Sequence, residues 1–203
     1  MAYRETARMQ QRKQATRDTI VVQALKLLDE RGFAGIQMVV LAQRANLATG
    51  TLYRYFGSKE QLCETLFKQA TQIEIQQVQE QLQHEQANAS ERIAAALTTF
   101  AKRALRAPTT AWALIAEPVE PIVVAARLKY RERYAQLFEQ AIELGIADGS
   151  LPQQNSALAS RALVGAIAEA LIGPLAQQAQ QNEQQSISDS VRFCLQAITA
   201  RTW

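Results

Sequence analysis

Asn46-Leu47-Ala48-Thr49-Gly50-Thr51-Leu52-Tyr53-Arg54-Tyr55-Phe56-Gly57-Ser58-Lys59-Glu60-Gln61-Leu62 is the stretch on which the fold turns. Leu52 and Phe56 lie four apart, so they share one helical face, which must pack inward. A rotation of about 100° per residue puts Gly50 and Arg54 on the opposite face, flanked by Thr51 and Tyr53. Upstream, Met38, Leu41, Ala42 and Ala45 recur at helical spacing. The pattern predicts one short helix over about 38–45 and a second over about 49–55. Between them, Asn46 tolerates the left-handed backbone of a tight inter-helix turn. Two short helices joined in this way form a helix-turn-helix, whose second helix enters a DNA major groove. A glycine on its outward face lets backbone approach the duplex, and Thr, Tyr and Arg around it reach base edges or phosphates. Ser58 is a good N-cap, and Gln61 three residues later completes a capping box for the next helix. Lys59 sets an ammonium beside the free N–H groups of that helix start, a pairing that holds phosphate.

Working outward, Ile20, Ala24, Leu27 and Leu28 form an apolar stripe over about 16–31, with Gly32 ending the helix and Phe33 docking behind it. The set Gly32-Phe33, Gly50-Thr51-Leu52-Tyr53-Arg54-Tyr55-Phe56 and Ser58-Lys59-Glu60-Gln61-Leu62 resembles the DNA-binding domain of the tetracycline-repressor (TetR) family. The resemblance implies a DNA-contacting set of Gln37, Arg44, Thr49, Gly50, Thr51, Tyr53, Arg54, Tyr55 and Lys59. Some positions depart from the family pattern. Ile36-Gln37 stands where a Thr/Ser pair usually opens the first motif helix, and Val39 and Val40 replace the charged residues that follow. Ala48 replaces the usual Ser/Thr cap of the recognition helix, a loss of about 1 kcal/mol that Thr49 can partly offset. These departures bear on phosphate anchoring by the first motif helix and not on the fold.

The charge follows the motif. Residues 1–60 carry ten Lys and Arg against five Asp and Glu, whereas 61–203 carry twelve against fourteen, within a net charge of +3. Arg4, Arg8, Arg12, Lys13 and Arg17 crowd the N-terminus, as a disordered arm reaching a minor groove or as a merely soluble tail. The organisation expected is a DNA-binding domain over 1–60, arm included, and a regulatory and dimerisation domain over 61–203. A three-helix head is too small to be very stable alone. The helix from Ser58 to about 84 therefore bridges to a larger core, with Leu62, Leu66, Phe67, Ile73 and Val78 inward.

Everything beyond residue 90 also reads as helix. Ile93, Ala96, Leu97, Phe100, Ala104 and Leu105 form a stripe that Pro108 breaks, and a short helix follows through Trp112, Leu114 and Ile115. Pro118 and Pro121 interrupt again before a long helix over about 122–145, with Leu128, Leu137, Phe138, Ala141 and Leu144 inside and Gly145, Gly149 and Pro152 marking the next loop. No window alternates with the period of a strand, so the chain is all-α, with about nine helices, and the breaks resemble the TetR-family regulatory domain. Residues 157–176 are apolar nearly all round, and Arg161, Glu169 and Pro174 argue against a membrane span. Such a helix is buried on two sides, one against its own core and one against a second subunit. The expected dimer interface is Ala162, Gly165, Ala166 and Ala170 with Val191, Leu195 and Ile198 of the last helix. As in the family, two helices from each subunit then form a four-helix interface.

The helix breaks also frame a candidate effector site of Phe100, Trp112, Glu117, Tyr134, Phe138 and Glu169, ordinary core packing being the competing account for each aromatic. Glu169, amid apolar residues, calls for a partner: Arg161, a cationic ligand, or water at the helix edge. Cys63 and Cys194 read as buried free thiols of a reducing cytoplasm. His84 stands alone, so no metal, no cofactor and no Ser/His/Asp set is expected, and the chain does not read as an enzyme. With no apolar leader, secretion is not expected either. The resemblance implies a cytoplasmic homodimer that binds a palindromic double-stranded DNA operator, a repressor released by a small, largely apolar effector. The contrasting reading is a DNA-binding helical protein without small-molecule input, controlled by a protein partner or with an architectural role.

Overall fold

A computed structural model describes residues 7–84, 87–177 and 183–200. Among them the chain forms nine helices and no strand: α1 (Ala7–Arg31), α2 (Met38–Arg44), α3 (Thr49–Tyr55), α4 (Lys59–Leu82), α5 (Ala89–Arg106), α6 (Pro108–Ile115), α7 (Pro121–Ala147), α8 (Ser156–Gln177) and α9 (Glu183–Thr199). The short-range signals account for most of the breaks. Pro108 and Pro121 occupy the first turns of α6 and α7, where their missing N–H costs nothing. Asn88 and Glu91 close a full capping box on α5, each accepting a backbone N–H at 3.0 Å. Ser58 caps α4 by accepting from Gln61 N at 3.3 Å, but the reciprocal bond from the Gln61 side chain is absent. Asn46 adopts φ 54°, the left-handed turn the motif requires, and Gly32 adopts φ 67°.

Two hydrophobic cores share α4. The head core gathers Ile20, Leu27, Leu28, Phe33, Leu41, Leu52 and Phe56 around Leu62, Leu66 and Phe67 of α4. Ala113, Val123 and Ala126 join it from α6 and α7, so the body reaches up into the head. The body core takes Val78 and Leu82 from the far half of α4, with Leu97, Phe138, Ile142, Leu163, Ile167 and Cys194. Ile36 is fully buried in the head core, which accounts for one departure from the family pattern as a packing residue. Val39 is 57% exposed, on the outward face expected of it, while Val40 packs partly against the head.

Several sequence expectations are corrected. The basic N-terminus is helical from Ala7, so Arg8, Arg12, Lys13 and Arg17 extend α1 instead of forming a disordered arm; Arg4 lies outside the described residues. On α4, Ile75 and not Ile73 turns inward, and on α7 Leu128 and Leu144 are exposed while Phe138, Ala141 and Ile142 are buried. Gly145 lies inside α7, against Ala89 and Leu151, where an added Cβ would come within 2.5 Å of Ala89. Val191 and Ile198 of α9, expected on the outward face, are buried in their own body core. α8 has the length and composition of a membrane span, yet Leu163, Ile167, Leu171 and Leu175 pack in the body core.

Candidate nucleic-acid interface and adjoining cavity

The head presents α3 outward. Leu52 is fully buried and Phe56 nearly so, and the opposite face carries exposed Gly50, Tyr53 and Arg54 with half-buried Thr49, Thr51 and Tyr55. An added Cβ at Gly50 would meet nothing within 4 Å, so no contact inside the chain requires the glycine. No side chain caps α3, neither Ala48 nor Thr49. Lys59 is half-buried at the first turn of α4, beside the Ser58 cap.

One member of the expected contact set is committed within the head, and another is left open. Arg44 is committed to Glu30 of α1 in a two-pronged ion pair at 2.7 Å each way, which fixes α2 on α1 and holds the exposed Glu30 carboxyl below its usual range. Gln37 is exposed at the start of α2 and makes no capping bond. The sequence reading missed the α1 extension. Met9, Arg12, Lys13 and Thr16 form one bank of a cleft whose other bank is Leu47, Thr51, Arg54 and Tyr55. Arg17 stacks over the Phe56 ring at 4.7 Å, pinning that bank to the recognition helix. The i, i+4 spacing of Arg8, Arg12 and Thr16 was the available signal.

In the body, an apolar cavity with about 900 Å³ of empty space, part of it open to solvent, lies between α4, α5, α6, α7 and α8. Phe100, Tyr134 and Phe138 line it, as the sequence reading placed them, with Phe100 edge-on to Tyr134. Burial raises the Tyr134 phenol far above its ordinary range, so it stays neutral. Trp112, Glu117 and Glu169 do not line the cavity. Glu169 is exposed on α8, and Arg161 pairs with Glu132 at 3.1 Å, not with Glu169.

Glu117 has another task. It is buried, and its carboxylate accepts the backbone N–H of Phe33 at 2.9 Å and of Ala34 at 2.8 Å. A carboxylate of the α6–α7 loop thus grips the turn that ends α1 of the head. Arg127 holds that loop from below, donating to the carbonyls of Ala113, Leu114 and Glu117 at 2.9–3.0 Å. Arg127 also lines the cavity, so one side chain touches both cavity and head support.

Residues 20–66, which span the head motif, match the family described as bacterial regulatory proteins, tetR family, and residues 86–171 match the tetracyclin repressor-like C-terminal domain. The chain belongs to the TetR family. It is a transcriptional regulator of the TetR type with a helix-turn-helix DNA-binding head. Among relatives of this TetR protein, the fatty acid metabolism regulator protein of Bacillus subtilis is 33% identical over 75 residues, 37% of this chain. That match spans 38% of the relative's length. The solved structure of FadR from Bacillus subtilis in complex with stearoyl-CoA superposes with a TM-score of 0.75 at 20% identity, covering 89% of this chain and 98% of that one. AibR in complex with isovaleryl coenzyme A and operator DNA gives 0.64 at 18% identity, covering 88% and 97%. At these identities the two structures speak for the shared fold.

Proposed function

We propose that this TetR-family regulator is a cytoplasmic homodimeric repressor that holds a palindromic DNA operator and leaves it when a small, largely apolar effector enters the body cavity. The observation that carries the reading is the join between the two: the cavity wall and the head turn meet through Arg127, the α6–α7 loop and Glu117. An effector acts only if it binds the DNA-incompetent arrangement more tightly, and a cavity wall that also braces the head supplies such a difference. That FadR and AibR have been solved with acyl-coenzyme A molecules, AibR together with operator DNA, supports a small-molecule input on this fold.

The dimer is proposed on the outward face of α8 and α9. Leu158 and Phe193 are 66% and 64% exposed there, and Ala162, Gly165 and Ala170 are exposed small residues along α8. Burying each large side chain contributes about 1.5–3 kcal/mol. Ala166 and Leu195 are partly buried at the edge of the same face. Two recognition helices about 34 Å or somewhat more apart then read two half-sites of a palindrome.

Selection of random duplex DNA by the purified protein, followed by sequencing, tests the reading. An enriched palindrome is expected, its half-site spacing matching the dimer. Salt-sensitive binding without enrichment would instead support the second reading, a DNA-binding protein controlled by a protein partner or with an architectural role. The exposed Val39, an apolar side chain beside the DNA-facing surface, is the observation that favours it.

A further inference from the structure

The cavity wall has an unbalanced charge. Its only acid is Glu74, and Arg103 already binds both oxygens of that carboxylate, at 2.6 and 2.8 Å. Two further cations, Arg127 and Arg131, lie one turn apart on α7, so they share a face, and both line the cavity. Neither has a carboxylate within ion-pair distance among the described residues. Arg127 is half-buried and uses Nε and Nη2 on three carbonyls, which leaves Nη1 without a hydrogen-bond partner among the described residues. Burial and the repulsion of Arg131 disfavour its charge and outweigh the attraction of Glu117, lowering the guanidinium from its ordinary value. The Glu117 carboxylate, which favours its charge, is spent on the head turn and does not contact it, so this half-buried cation is only partly compensated, and an incoming anion relieves the cost. Deeper in the same wall, the Thr71 hydroxyl is buried and makes no hydrogen bond. The remaining lining is Phe, Leu, Ile, Val, Ala and Tyr, with Thr110, whose hydroxyl donates to Asp29.

We propose that the cavity takes an amphiphile with an apolar chain and an anionic group, and that Arg127, assisted by Arg131, is the residue that receives the anion. The proposal rests on the effector reading above and names the chemistry of the effector. Receiving the anion draws the guanidinium away from the carbonyls of Ala113, Leu114 and Glu117, which loosens the loop whose carboxylate grips the head turn.

Calorimetric titration of the full-length protein with decanoate, decyl phosphate, 1-decanol and decylamine, all below their micellar concentrations, tests it. At least one of the two anions is expected to bind ten-fold or more tighter than both decanol and decylamine. Whichever of decanoate and decyl phosphate binds more tightly identifies a carboxylate or a phosphate as the natural group. Arg127→Gln is expected to erase the preference for the anion while decanol still binds. Decanol binding as tightly as the anions, no binding by any probe, or an undiminished preference in Arg127→Gln would overturn the proposal. If Arg127→Gln does not fold by circular dichroism, Arg131→Gln gives the same reading, a several-fold drop in preference supporting it and no drop overturning it. Release of the selected operator is measured separately. Anion-selective binding that never releases DNA supports this site and counts against the repressor reading alone.

Discussion

At Gly32 an added methyl carbon would stand 2.8 Å from Glu117 Oε2, on a backbone whose φ is already 67°. The glycine therefore serves two needs at once: the left-handed end of α1 and the space in which a buried carboxylate reaches Phe33 and Ala34 N–H. Gly32→Ala is expected to cost about 1–3 kcal/mol by urea unfolding, through the strained φ and the displaced carboxylate. Loss of under about 0.5 kcal/mol, the usual range for an inconsequential surface change, would mean the Glu117 grip carries little. The left-handed turn was legible from Gly32-Phe33 and Asn46, because both signals are local. Glu117 was not, because its partners lie 84 and 83 residues away and a carboxylate beside a proline says nothing of what it will cap.

Among the helices, α8 and α9 show where periodicity stops deciding. On α8 apolar residues cover nearly the whole circumference, so the pattern announces two buried faces without saying which faces which. The body core takes Leu163, Ile167, Leu171 and Leu175, leaving Leu158, Ala162 and Gly165 outward, and on α9 the same choice leaves Phe193 outward and Val191 inward. A Cβ at Gly165 meets nothing within 4 Å inside the subunit, so a side chain there starts out into open space. Gly165→Phe and Phe193→Glu are each expected to shift the protein from dimer to folded monomer, read by light scattering with unchanged helicity by circular dichroism. A dimer of unchanged mass and shape in both variants would place the interface elsewhere. The slips on α4 and α7 have the same origin. Ile73, Leu128 and Leu144 are apolar side chains outside the buried stripe, and only contacts with neighbouring helices choose the stripe.

Over the whole molecule, α4 threads both cores, and Ala113, Val123 and Ala126 tie the body to the head. Cys63 reports on the head core and Cys194 on the body core. Burial raises both thiols, Cys63 to about 11 from an ordinary 9.0, so neither is a thiolate at neutral pH in the native state. Alkylation by iodoacetamide at pH 8 is therefore expected to be slow natively and to switch on at one common urea concentration for both cysteines. Separate midpoints would show that head and body unfold independently. The sign with pH follows: the unfolded Cys63 thiol ionises from about pH 9, the folded one two units higher, so this group favours the folded state less as pH rises through that window.

By itself the sequence determined what depends on neighbours along the chain. It specified an all-α protein, the proline and capping breaks between helices, the helix-turn-helix with its inward Leu52 and Phe56, and the outward Gly50, Tyr53 and Arg54. These follow from helical period, φ preference and caps, which act within about one or two turns. Only the tertiary structure decided which apolar face of α8 and α9 is the core. It also decided that Arg44 serves Glu30 and that Glu117 serves the head, and it brought Arg127 and Arg131 to the wall of the cavity. A charged side chain's role is set by the partner it meets across the fold, and packing, not sequence spacing, brings that partner within reach.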